Sequence, residues 1–185
     1  MRKAKANGLM LNVWKTASLK TDEVRNSKVL KWFLDCYGDH GQKNAILLKF
    51  LQLLPEPFSK FQSENYKTIE ECCPLGGQES RVDIEIDSRE FLIFIEIKIN
   101  AMEGQNQLQR YIDIARAKAG NRQWLIVYLT KDGKLPQRYQ NNEGLFGLSW
   151  SIVAKQFKSH TKSADMNNRG IWLLSQFADH IKSFK

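Results

Sequence analysis

The chain has 185 residues, enough for one well-buried core and about one domain, with 42% apolar and 26% charged residues, ordinary for a soluble globular protein. Its three cysteines lack a C-x-x-C spacing, which argues against a disulfide framework or a zinc site, and no apolar run approaches a membrane span or a signal peptide, so a cytoplasmic protein is expected. A formal net charge of +8 implies attraction to a polyanion.

Residues 1–20 carry five Lys or Arg and no acid, and read as a basic arm with a short helix around Leu9 to Trp14. Thr21 is then placed to cap a helix whose first turn holds Asp22 and Glu23, acids that suit the positive end of the helix dipole. Val24, Ser27, Leu30, Leu34 and Tyr37 recur at helical spacing with Phe33 beside them, and Gly38 supplies a stop. A second helix is expected from about Lys43 to Leu54, where Pro55 and Pro57 forbid its continuation. Tyr66 to Cys72 reads as a strand, followed by a loop at Pro74, Gly76 and Gly77.

Arg81 to Asn100, R-V-D-I-E-I-D-S-R-E-F-L-I-F-I-E-I-K-I-N, reads as two strands joined at Asp87 to Glu90. Strand side chains alternate faces, so Val82, Ile84 and Ile86 oppose Asp83, Glu85 and Asp87, and Ile93, Ile95, Ile97 and Ile99 oppose Leu92, Phe94, Glu96 and Lys98. The second of these faces mixes charge with Leu92 and Phe94, and half-buried charge needs a partner or a metal. In an antiparallel hairpin with an even-numbered loop, residues an odd number apart face the same way. Asp83 and Glu96 are thirteen apart, so both converge with Lys98 on one surface. Two carboxylates beside an ammonium suit Mg²⁺, a hard cation bound through one or two carboxylates with several retained waters. Such a site can polarise a phosphoryl oxygen and lower the pKa of a bound water. Glu85 and Asp87 lie progressively nearer the turn and are expected to be solvated, with Glu85 a candidate outer ligand.

Beyond the hairpin, Leu108, Tyr111, Ile112, Ala115 and Ala119 form the apolar stripe of a helix over Gly104 to Lys118, and Gln107 and Tyr111 point the same way from consecutive turns. Gln123 to Thr130 is a buried-strand pattern closed by an Asp132-Gly133 turn. Further helices are expected at about Ser149 to Ser159 and Gly170 to Phe184. The order is helices, three strands, helix, strand, an α/β arrangement.

Asp83 followed by Glu96-Ile97-Lys98 resembles the D and E-x-K signature of the PD-(D/E)XK nuclease superfamily. Val82 stands where the motif often has proline, and Ile97 where many members have asparagine; neither change removes a ligand. R-N-S-K-V-L-K-W-F-L-D followed by D-H-G-Q is similar to the N-terminal portion of one subfamily. Gln107 and Tyr111 resemble the Q-x-x-x-Y element of RecB-like members, and Glu23 matches the helix acid that some members bring to the metal. The resemblance implies a restriction-endonuclease-like core, a central mixed β-sheet flanked by helices, as a single domain over residues 1–185 behind the basic arm. It implies a DNA nuclease using Mg²⁺, with Mn²⁺ as substitute. Asp83, Glu96 and the Ile97 backbone carbonyl would hold the ion, Lys98 would assist the attacking water, and Gln107 would hold a phosphate or nucleotide beside the pocket. It also allows a homodimer that cuts one strand per subunit. Two alternatives stay open: an RNA-directed nuclease, and a module on the same fold that binds nucleic acid or protein without turnover.

Overall fold

The computed structural model describes residues 11–74, 76, 81–101, 104 and 106–184. The first ten residues of the basic arm, including the expected helix start at Leu9, and Gly77 lie outside the described residues.

Five strands form one mixed sheet in sequence order: β1 (Tyr66–Cys72), β2 (Val82–Ser88), β3 (Phe91–Ile97), β4 (Gln123–Thr130) and β5 (Leu145–Ser149). β1, β2 and β3 make an antiparallel meander, whereas β3, β4 and β5 run parallel. The parallel step from β3 to β4 needs a crossover, which α4 (Gln107–Ala119) supplies. Arg89 and Glu90 form the tip of the central hairpin, where Ser88 Oγ accepts the amides of Glu90 and Phe91 at 3.1 and 3.0 Å.

Both faces of the sheet are covered. Ile84, Ile86, Ile93, Ile95, Ile97, Val127 and Leu129 pack with α2 (Glu23–Leu34), α3 (Ala45–Leu51), α5 (Trp150–Lys162) and α6 (Arg169–Ile181). On the other face Leu92, Phe94, Ile126 and Tyr128 lie beneath Leu108, Tyr111, Ile112 and Ala115 of α4. Coverage on both sides explains why β3 is buried at every position and reads as a nearly continuous apolar run. The short α1 (Val13–Thr16) docks through Trp14, edge-on to Phe33 and Phe177. Among the described residues no helix is long and apolar enough to cross a membrane.

Several expected boundaries move, each for a local reason. Asp22, not Thr21, caps α2, accepting the Arg25 amide at 2.9 Å. α2 stops at Leu34, because Asp35 takes an extended conformation well before Gly38. Val24 and Tyr37 are exposed, and the buried stripe runs instead through Asn26, Ser27, Leu30, Phe33 and Leu34. α4 begins at Gln107 after left-handed Asn106. α3 covers only Ala45–Leu51, and α5 runs on to Lys162. β5 is an addition to the expected order. Val82 packs on the α4 side, away from Ile84 and Ile86. The alternation breaks just beyond the last pair of β2 with β3, Ile84 and Ile95, where the Asp83 carboxylate accepts the Ile97 amide.

Candidate active site

The pairing of Ile84 with Ile95 sets Asp83 across from Glu96 at the end of the sheet opposite the hairpin tip. Asp83 Oδ2 accepts the Ile97 amide at 2.8 Å, which fixes its carboxylate against the end of β3. Glu96 is 1% exposed, and its Oε1 pairs with Lys98 Nζ at 2.7 Å. Gln107, the first residue of α4, donates through Nε2 to the same oxygen at 2.7 Å and to Tyr111 Oη at 2.8 Å. Tyr111 Oη in turn donates to the Arg81 carbonyl at 2.5 Å, tying α4 to the chain that enters β2. Glu23, the first residue of α2, reaches the same end, where its Oε1 accepts the amides of Ile99, Asn100 and Ala101 at 2.6, 2.9 and 3.0 Å. Thr21 Oγ1 adds a fourth link by accepting from Asn100 Nδ2 at 2.8 Å.

The electrostatics are those of a pocket short of positive charge. Burial, then repulsion from Asp83, outweighs the Lys98 ammonium and pushes the Glu96 carboxyl up to about 7. Burial likewise raises Asp83 above the usual aspartate range despite its Ile97 hydrogen bond and the nearby Lys98. Lys98 is shifted upward too, because Glu96, Asp83 and Glu23 more than offset its own burial, so its nitrogen is an ammonium near neutral pH. Glu23 moves the other way: the three backbone amides and Lys98 outweigh its burial and favour the carboxylate. Glu96 Oε2 is buried with no hydrogen-bond partner among the described residues, an unusual state for a carboxylate oxygen.

A family model described as the PD-(D/E)XK nuclease superfamily matches residues 11–182. The chain belongs to the PD-(D/E)XK nuclease superfamily. No curated protein and no solved structure matches it significantly. The mixed sheet flanked by helices is the restriction-endonuclease-like fold of that superfamily. Superfamily nucleases generally use divalent metals. The donor chemistry here fits a hard ion: Glu96 has a buried orphan oxygen and is repelled by the Asp83 carboxylate, a repulsion that a cation relieves. No cluster of three or more His, Cys, Asp or Glu arranged for a metal occurs among the described residues.

The other residues singled out from the sequence divide. Gln107 and Tyr111 sit against Glu96, whereas Glu23 commits one oxygen to the backbone just past Lys98. Glu85 corrects the expectation of a solvated residue: it is 0% exposed, its Oε1 pairs with Lys118 Nζ at 2.5 Å, and its Oε2 accepts the Cys72 thiol at 3.6 Å. Asp87 is half-buried and held by Arg122 at 2.5 Å. Lys118 and Arg122 do not stand out in the sequence, although a signal for Lys118 exists there. Counting from Gln107, Tyr111 and Lys118 fall four and eleven residues on, one face of a helix, and that face runs alongside the acidic side of β2.

Proposed function

We propose that the chain is a Mg²⁺-dependent nuclease that hydrolyses phosphodiester bonds of DNA, with Mn²⁺ able to replace Mg²⁺. Asp83, Glu96 and the Ile97 carbonyl hold the ion, and Glu96 Oε2 is the atom that most needs it. A divalent ion at such a site supplies charge stabilisation at the phosphoryl group and an activated water.

The chain's own residues do the rest. Lys98, an ammonium within 2.7 Å of Glu96, orients the attacking water or offsets negative charge as the phosphate enters its transition state. Gln107 holds Glu96 through Oε1, which leaves Oε2 for the ion, and Tyr111 bonds Gln107 in turn. Glu23 anchors the backbone that carries Lys98 out of β3.

The observation that carries this reading is the orphan oxygen of a buried carboxylate opposite a second carboxylate and beside an ammonium. Plasmid and oligonucleotide cleavage with Mg²⁺ or Mn²⁺, on DNA and RNA in parallel, tests it. Asp83→Ala and Lys98→Ala are each expected to lower cleavage by about 10²-fold or more. Cleavage that continues undiminished in Lys98→Ala, or in EDTA, sinks the mechanism. Nucleic-acid binding without cleavage under any divalent ion favours the inactive binding module instead.

A further inference from the structure

Two clefts meet at Asp179 on the outer turn of α6. One, of about 410 Å³, is lined by Lys15, Lys20, Thr21 and His180 among others. The second, of about 460 Å³, lies between α5 and α6 and is lined by Lys155, Lys158, Lys162 and Lys182. Among the described residues, only Lys158 of these six lysines is ion-paired, to Asp179 at 2.6 Å, and the other five are exposed. Complementing the negative poles of helix C-termini explains Lys162 and Lys182, which close α5 and α6. It does not explain Lys20, which lies in the loop before α2, or Lys155, in the middle of α5.

The clefts begin at the catalytic end of the sheet. Thr21, in the wall of the first, accepts the hydrogen bond from Asn100, two residues past Lys98. Phe184, in the same wall, packs edge-on against Trp150 at 5.4 Å, and Trp150 opens α5 directly after β5. The parallel pairing of β3, β4 and β5 puts that junction at the same end as Ile97. A path of exposed ammonium groups therefore runs from the rim beside Lys98, past Lys20 and Lys15, over the last turn of α6 and into the α5–α6 groove.

We infer that this path is a track for the sugar-phosphate backbone of nucleic acid flanking the scissile bond. The inference rests on the nuclease reading and adds to it the surface that carries the substrate beyond the cut. Lysines present compact, mobile charges that neutralise phosphates without reading bases, so the track predicts salt-sensitive binding with little sequence preference.

Fluorescence anisotropy with short labelled DNA and RNA duplexes, in EDTA so that nothing turns over, tests the track. Lys20→Glu/Lys182→Glu and Lys155→Glu/Lys162→Glu are compared with Lys67→Glu/Arg89→Glu. The last pair changes net charge equally but lines a cleft at the hairpin-tip end of the sheet. Each track pair is expected to weaken binding by about tenfold or more at about 50 mM salt and to flatten the dependence of log affinity on log salt by about two, near 0.9 per phosphate contact, so that the loss largely disappears by about 200 mM. The control pair should shift affinity by less than about twofold. Equal losses in all three variants, no loss in the track variants, or track-dependent affinity for anionic lipid vesicles above that for either duplex overturns the inference. A parent protein that binds through the track yet cleaves neither polymer with Mg²⁺ upholds the track and removes only the catalytic reading. Thermal melting of each variant within a few degrees of the parent shows that the fold survives.

Discussion

Glu96 concentrates the energetic problem of the site in one side chain. Burial and Asp83 together disfavour its charged form more than Lys98 favours it, and push the carboxyl up to about 7 from an ordinary 4.5. The folded state therefore holds this proton over a range where the unfolded chain has lost it. Stability in EDTA falls as pH rises from about 4.5 to about 7, by at most about 3 kcal/mol from this group. The raised Asp83 acts in the same direction. Lys98, raised from an already high value, contributes stability that is intact throughout this window and lost only in strong alkali. Melting curves in EDTA from about pH 5 to 8 should show a decline that Glu96→Gln removes in large part, because the amide has no proton to lose. Mg²⁺ should raise the melting temperature more at the alkaline end, since binding must displace the proton below about pH 7. An unchanged decline in Glu96→Gln would assign the titration to another group.

Elements bring these side chains together through two helix starts, and here the sequence is partly readable. The period-2 alternation of Ile84 to Asp87 and of Leu92 to Lys98 is strong enough to fix the hairpin register, which brings Asp83 opposite Glu96, but it does not reveal that Asp83 turns to the Ile97 amide where the alternation breaks. The 3.6-residue stripe of α4 sets Gln107 and Tyr111 on one side in the same way. Glu23 is ambiguous because a first-turn acid suits the helix dipole wherever it lies, and its long-range bonds to Ile99, Asn100 and Ala101 leave no local pattern. β5 is hidden by Gly147 inside Leu145–Ser149. A Cβ at that position would lie 2.1 Å from the Gly133 carbonyl oxygen, so the glycine marks a close backbone approach that only the folded chain reveals. Gly147→Ala should therefore destabilise the protein by about 2 kcal/mol or more, read from urea melts, and a neutral result would mean that the β5 edge relaxes freely. Glu23→Ala removes one acceptor from three amides and should cost about 2–3 kcal/mol. Faster hydrogen exchange at Ile99 to Ala101 would accompany it, and Glu23→Gln should lose less because an acceptor oxygen remains. Unaltered exchange at those amides in Glu23→Ala would mean that the turn after β3 holds itself.

Across the whole molecule, the acidic face of β2 and β3 is divided between two kinds of countercharge. Toward the hairpin tip α4 and the residue shortly after it supply the cations, Lys118 for Glu85 and Arg122 for Asp87. At the opposite end the helix offers an amide and a phenol instead, and among the described residues the ammonium of Lys98 alone serves two carboxylates. The deficit is local although the chain as a whole is basic, which suits a small cation beneath a surface that attracts phosphate. The divided face makes the two ends separable. Lys118→Met should leave Glu85 buried without its cation and cost about 3–5 kcal/mol, whereas Lys118→Met/Glu85→Leu removes both charges and should recover most of that loss. If the double variant stays as unstable as the single one, packing around the Lys118 stem rather than the ion pair holds this part of α4. In the double variant the pH dependence set by Glu96 should persist, since neither substitution touches Asp83, Glu96 or Lys98. A melting profile that lost that dependence along with the Glu85–Lys118 pair would show that the two ends of the acidic face titrate as one.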